Sequence, residues 1–232
     1  LPPLTRESVH AMTASIPQVQ ALALERIRAD VRSMHAYHVQ PSQGLLKMDT
    51  MENPFRLPPE LQAALGERLG RLEINRYPGE RQEVLKDMLA RYAQAPAGSA
   101  VLLGNGSDEI ITLLALACAQ PHAEGRATML APMPGFVMYP MSARLQGLDF
   151  VGVDLTADFE LDVPAMRAAI AEHRPAITYI AYPNNPTATL WAEADVQAVI
   201  DAVAAIGGLV VMDEAYQPFA RRSWAENMRA DP

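Results

Sequence analysis

The 232 residues carry a formal net charge of −8, and 50% of them are hydrophobic and 20% charged. This length suffices for one large domain with a substantial core, and the composition is typical of a soluble globular protein. The acidic balance without a basic stripe argues against a nucleic-acid partner, and no run reaches the roughly 20 apolar residues of a membrane span.

The single cysteine, Cys118, excludes a disulfide framework and a cysteine-based zinc site within these residues. It lies in an apolar run and is expected in the core. Charged residues at positions 25, 26, 28 and 30 interrupt the first apolar segment, so no signal peptide is recognised and a cytoplasmic protein is expected. The five histidines are scattered, and no metal site is expected.

The first third of the chain predicts helices joined by an arm. Apolar periodicity predicts a helix over 17–34, and a Pro-rich stretch over 37–60 reads as extended. Helices over 58–74 and 83–93 follow. We assign residues 1–52 to an N-terminal helix and arm, and residues 53–232 to a large domain.

From residue 100 onwards, short apolar runs alternate with segments of helical length. Such alternation predicts a mostly parallel sheet covered by helices on both faces, a three-layer α/β/α fold of the α/β class. The carboxyl ends of parallel strands share one edge, where ligands bind. The predicted strands cover 100–104, 127–132, 149–155, 176–183 and 208–216, and the helices between them cover 107–119, 135–147, 163–173 and 191–207.

Three of these strand ends carry polar residues. "GNGSDE" (104–109) offers tight turns and a helix start whose free N–H groups favour an anion, although an ordinary N-cap is the simpler explanation for this motif taken alone. "YPNNPTA" (182–188) is a turn by composition. In "VVMDEAY" (210–216) a buried strand runs into Asp213, a carboxylate that is costly to bury without a partner. Solvent exposure or helix capping would explain this aspartate equally.

Together the three ends suggest a ligand with a phosphate, a ring hydroxyl and a basic ring nitrogen. Pyridoxal 5′-phosphate has all three, and a carboxylate beside its ring nitrogen favours the protonated form.

The chain resembles the fold-type I pyridoxal-phosphate enzymes of the aspartate aminotransferase superfamily, and among them the histidinol-phosphate aminotransferases. Six motifs occur in that family's order and approximate spacing, and together they are specific. They are "KMDTMENPFRLP", "NRYPG", "GNGSDE", "PGFVMYP", "YPNNPTA" and "VVMDEAY".

The resemblance implies roles around the cofactor ring. Asp213 would pair with the pyridine nitrogen, and Tyr216 and Asn185 would bond the phenolic oxygen. Phe136 would stack on the ring, where many relatives have tyrosine. In the "NPTA" turn, Ala188 replaces the usual glycine, which puts the local turn in question.

For the phosphate, the resemblance implies the backbone N–H groups of Gly106, Ser107 and Asp108. Tyr77 would reach the phosphate of a neighbouring subunit in a homodimer with shared active sites. Tyr37 and Asn53, on the arm, would approach the substrate.

The family's Schiff-base lysine, expected a few dozen residues after "DEAY", has no counterpart here, since Lys47 and Lys86 lie elsewhere. We therefore expect these residues to be an N-terminal portion without the C-terminal small domain, and inactive alone.

The implied function is amino transfer between histidinol phosphate and 2-oxoglutarate in histidine biosynthesis. Three alternatives remain open: a phosphothreonine decarboxylase or aromatic aminotransferase, a ligand-sensing module of a transcription regulator, and a non-catalytic pyridoxal-phosphate-binding or dimerisation module.

Overall fold

The computed structural model describes two compact units, Leu1–Tyr77 and Pro78–Pro232. Among the described residues, no helix is long and apolar enough to cross a membrane. The described residues are 16–35, 41, 43–46, 53–77, 79, 81–120 and 125–230.

The described residues of the first unit form three helices: α1 (Ile16–Arg26), α2 (Ala29–Arg32) and α3 (Pro59–Gly70). The single helix predicted over 17–34 is broken before α2, where Arg28 takes an extended ψ of 136° and pairs with Asp30. Proline opens α3, because its missing N–H is not needed in the first turn. Residues 53–58 have no regular structure, in agreement with the predicted arm.

The second unit begins with helices α4 (Arg81–Tyr92) and α5 (Gly106–Ala117). The predicted strand at 100–104 is wrong, because this segment has no regular structure and Leu102 is 66% exposed. A strand needs a neighbour for its backbone hydrogen bonds, and the described sheet places none beside this run.

Four parallel strands form the sheet, in the order β2-β1-β3-β4. Each successive pair is joined through one helix, which is the connection that parallel strands require. The predicted alternation from residue 127 onwards is confirmed. In chain order the elements are β1 (Thr128–Met133), α6 (Met138–Gln146), β2 (Asp149–Asp154), α7 (Val163–His173), β3 (Ile177–Ala181), α8 (Glu193–Ala205), β4 (Leu209–Asp213), a 3-10 turn (Gln217–Phe219) and α9 (Ala225–Ala230).

Two apolar cores lie on opposite faces of this sheet, so the fold has three layers. On one face α5 and α6 pack over Met129 and Tyr179, and on the other α7 and α8 pack over Leu130 and Ile180. Consecutive strand residues alternate between the cores, as the two-residue period of a strand requires. The α/β/α prediction is confirmed.

Candidate active site

Three strands end side by side at one edge of the sheet. β1 ends at Met133, β3 at Ala181 and β4 at Asp213, and β1 pairs with β3, which pairs with β4. The chain winds from β1 to β2 on one side and from β3 to β4 on the other. In open parallel sheets this reversal of direction marks the ligand-binding crevice.

A cleft at this edge collects predicted residues from four separate segments. Its lining includes Ser107 from the start of α5, Phe136 from the loop after β1 and Asn185 from the loop after β3. Asp213 and Tyr216 come from the end of β4 and the loop after it. The structure therefore brings together side chains from distant parts of the sequence, from Ser107 to Tyr216. The other lining residues are Tyr139, Ala181, Pro183 and Ala215.

Asp213 is the acidic group of the cleft. Its position two residues after Val211 places its side chain on the α5 and α6 face, because residues of a strand alternate in direction. One carboxylate oxygen, Oδ1, accepts from the backbone N–H of Ala215 at 3.1 Å. The other, Oδ2, accepts from the Tyr139 hydroxyl at 2.7 Å. Carboxylate oxygens have further lone pairs, so Asp213 retains the capacity to accept from a ligand.

Tyr139 was not predicted as a site residue. It is 1% exposed, its ring stacks on Tyr179 with centroids 4.5 Å apart, and it meets Phe136 edge to face at 5.7 Å. Burial, with the Asp213 charge, raises the pKa of Tyr139 far above its ordinary value, so the hydroxyl stays a donor. No local sequence signal distinguishes Tyr139 from a core tyrosine, because its contact with Asp213 spans 74 residues of the chain.

Asn184 was considered as a turn residue but assigned no role. It is 2% exposed, and its amide nitrogen donates to the carbonyl of Pro134 at 3.1 Å and to the Thr187 hydroxyl at 2.8 Å. It therefore ties the loop after β1 to the loop after β3. Asn185 is only half-buried, and its side chain makes no hydrogen bond to the described residues. The two neighbouring amides thus differ, one supporting the cleft and one facing it.

The beginning of α5 exposes backbone donors. Gly106 has a φ of +78°, in the left-handed region that favours glycine. Asn105 makes no side-chain cap bond to the helix, and the N–H groups of Gly106, Ser107 and Asp108 donate to no backbone carbonyl among the described residues. Glu109 turns back instead and accepts from the N–H of Asn105 at 2.5 Å. Uncapped N–H groups at a helix start favour an anion.

Ala188, which stands where the resemblance expects glycine, has a φ of +58°. The turn is nevertheless closed, since the N–H of Ala188 donates to the carbonyl of Asn184 at 2.9 Å. Asn184 also donates its own N–H to the Thr189 carbonyl at 2.9 Å. The alanine is thus held in a left-handed conformation that L-residues rarely adopt.

The remaining predicted residues belong to the first unit. Tyr77 is 99% exposed, and Asn53 accepts from the N–H of Phe55 at 3.0 Å, so its side chain caps a local turn. Tyr37 lies outside the described residues. Of the two lysines, Lys86 pairs with Glu83 at 2.8 Å on α4, and Lys47 also lies outside the described residues.

The cleft is small, with a cavity of about 40 Å³. Pockets that enclose small molecules usually measure several hundred Å³, so these residues form one wall of an open site. A larger cleft of about 580 Å³ lies at the opposite sheet edge, near Arg126 and Arg174. We place the candidate site in the smaller cleft, because the strand ends and the polar residues converge there. The described residues contain no group of three or more His, Cys, Asp or Glu that could hold a metal ion.

Comparison with known proteins gives consistent matches. The aminotransferase class I and II family matches residues 44–231. The histidinol-phosphate aminotransferase of Paracidovorax citrulli (strain AAC00-1) is 73% identical over 212 residues, which are 91% of this chain and 57% of that protein. The chain thus spans 57% of the length of this relative.

Two solved structures share the fold. The histidinol-phosphate aminotransferase from Sinorhizobium meliloti in complex with pyridoxal-5′-phosphate has a TM-score of 0.66 at 22% identity, and the match covers 85% of this chain and 53% of that one. A Thermus thermophilus aspartate aminotransferase has a TM-score of 0.61 at 19% identity, covering 80% of this chain and 50% of that one. At these identities the likeness concerns the fold alone.

Proposed function

Because the chain belongs to the class I and II aminotransferase family, we propose that the complete natural protein is a pyridoxal-phosphate-dependent enzyme. It transfers an amino group between histidinol phosphate and 2-oxoglutarate in histidine biosynthesis. The observation that carries the proposal is the convergence of Phe136, Asn185 and Asp213 in one cleft at the sheet's switch point. The names of its close relatives support the choice of substrate.

The cleft residues fit the ring of pyridoxal phosphate. Asp213 offers a carboxylate with free lone pairs to a protonated ring nitrogen, and its charge would stabilise that cation. Asn185 and Tyr216 offer an amide and a hydroxyl to the phenolic oxygen, and Phe136 offers an aromatic ring for stacking. When bound, this cofactor supplies an electron sink for the amino-acid substrate.

The start of α5 fits the cofactor's phosphate. The N–H groups of Gly106, Ser107 and Asp108 form an uncapped helix start, and the helix dipole favours negative charge there. The Asp108 side chain would lie beside the phosphate. We propose that Tyr77, fully exposed on this chain, binds the phosphate held by a second subunit, so that the enzyme is a homodimer with shared sites.

Three further assignments belong to this proposal. Tyr37 and Asn53 would contact the substrate from the arm. Residues 53–232 would form the cofactor-binding large domain, preceded by an arm over residues 1–52. The protein would work in the cytoplasm, where disulfides are rare, and the single cysteine of these 232 residues cannot form one within them.

The proposal is tested with the natural protein, including any residues that follow Pro232. Binding of pyridoxal phosphate is followed by its visible absorbance, and histidinol phosphate is then added without a second substrate. We expect the visible band to disappear as the amino group moves to the cofactor. Asp213→Asn should weaken cofactor binding at least about tenfold, which corresponds to ~1.4 kcal/mol.

A matched control removes a carboxylate elsewhere. Asp158 is exposed in the loop between β2 and α7, so Asp158→Asn loses the same charge outside the cleft. A protein that binds no cofactor, or that responds equally to both substitutions, would contradict the proposal. Initial rates with histidinol phosphate, threonine phosphate and aromatic amino acids would separate the proposed substrate from its nearest alternatives.

A further inference from the structure

Asp213 is held by two neutral donors, the N–H of Ala215 and the hydroxyl of Tyr139. None of the described residues that line the cleft is a lysine, arginine or histidine. A cationic partner would cancel the carboxylate's charge, whereas a neutral donor orients it and leaves the charge for a ligand. The two donors take different oxygens, so together they fix the rotation of the carboxylate plane.

The tyrosine is itself held rigidly. Its ring lies between Phe136, at 5.7 Å, and Tyr179, which stacks on it at 4.5 Å and 22°. Its exposed fraction is 1%, and the chain separation from Asp213 is 74 residues. The 2.7 Å bond is therefore a contact between two layers of the fold, made by a side chain with little rotational freedom.

We propose that Tyr139 is a positioning residue, whose hydroxyl aims the Asp213 carboxylate at the ring nitrogen of the bound cofactor. This inference rests on the proposed function. Tyr139 does not itself reach for the ligand in this assignment, because its hydroxyl is committed to Asp213. Since burial and the neighbouring charge raise the pKa of Tyr139, the hydroxyl remains protonated at neutral pH and keeps donating.

The structure provides a matched control in Tyr179. Its ring is also fully buried and stacks on that of Tyr139, but its hydroxyl has no hydrogen-bond partner among the described residues. Tyr139→Phe and Tyr179→Phe therefore each delete one buried oxygen from the same aromatic pair. Only the first deletes a bond to Asp213.

The test measures dissociation constants by fluorescence titration of the natural protein with two ligands. One is pyridoxal phosphate, and the other is its deaza analogue, in which a C–H group replaces the ring nitrogen. We expect Tyr139→Phe to weaken binding of pyridoxal phosphate about tenfold, the effect of a bond worth ~1.4 kcal/mol. Binding of the deaza analogue should change less than about twofold, and Tyr179→Phe should leave both constants within about twofold of the wild type.

The outcomes separate the two proposals. Equal weakening of both ligands, or no weakening of either, in Tyr139→Phe would overturn the positioning role while leaving the cofactor assignment intact. Failure of the wild type to bind pyridoxal phosphate would overturn the proposed function, and the positioning role with it. Folding of each variant is checked by near-ultraviolet circular dichroism. Tyr139→Met, a smaller and more flexible apolar side chain without a hydroxyl, replaces a phenylalanine variant that does not fold.

Discussion

Replacing Asn184 with alanine should destabilise the walls of the cleft. The substitution removes the donors to Pro134 and Thr187, which join the loop after β1 to the loop after β3. A protein hydrogen bond contributes about 0.5–1.5 kcal/mol, so the loss of two should lower the free energy of unfolding by about 1–3 kcal/mol. The site is 2% exposed, and water cannot readily replace the lost amide.

Thermal unfolding of the cofactor-free natural protein measures this effect. For a domain of about 150–250 residues, 1 kcal/mol corresponds to about 2–4 °C in Tm, so the middle of the range is a fall of about 6 °C. Cofactor affinity should also decrease, because Phe136 and Asn185 lie on the two loops that Asn184 connects.

The neighbouring amide gives the control. Asn185 is half-buried, and its side chain makes no hydrogen bond to the described residues, so Asn185→Ala should change stability by less than about 0.5 kcal/mol. Its effect should instead fall on cofactor affinity. Equal Tm values for the two variants would contradict this role of Asn184. A Tm for Asn184→Ala within about 1 °C of the wild type, a change of at most about 0.5 kcal/mol, would contradict it as well.

Two further substitutions test the periphery of the site. Tyr77→Phe should leave Tm unchanged, because the side chain is 99% exposed. It should weaken the binding of pyridoxal phosphate in the dimer, and an unchanged dissociation constant would show that Tyr77 does not bind the phosphate. Ala188→Gly should raise Tm by about 2–4 °C. Relief of the strained φ of +58° contributes about 1–2 kcal/mol, and the greater conformational freedom of glycine in the unfolded chain offsets part of that gain. A lower Tm would show that the backbone at Ala188 is not strained.

Most of the second unit's sheet was predictable because its signals are local. Each strand from residue 127 onwards is a short apolar run followed by a segment of helical length, and parallel pairing buries both faces. The run at 100–104 has the same composition but no strand. An apolar run forms a strand only where a neighbouring strand accepts and donates its backbone hydrogen bonds. The sequence of the run does not show whether such a neighbour exists, and the described sheet contains none.

Some residues of the candidate site could be identified from the sequence, and others only from the fold. Asp213 could be identified because a carboxylate at the end of an apolar strand is unusual in the sequence itself. Tyr139 could not, since a tyrosine in a predicted helix is more often core than functional. Its role depends on a contact across 74 residues. Asn184 and Asn185 are adjacent and chemically identical. Only their burial in the fold shows that Asn184 holds two loops together while Asn185 faces the cleft.

The hydrogen-bond partners of Asp213 could not be predicted from the sequence. The cost of burying a carboxylate predicts a partner, and a cation is the first that electrostatics suggests. The fold provides two neutral donors instead. Neutral donors offset part of the desolvation without cancelling the charge, so the carboxylate remains attractive to a cation that arrives from outside the chain. A protonated ring nitrogen meets that requirement, whereas a permanent ion pair within the chain would compete with it.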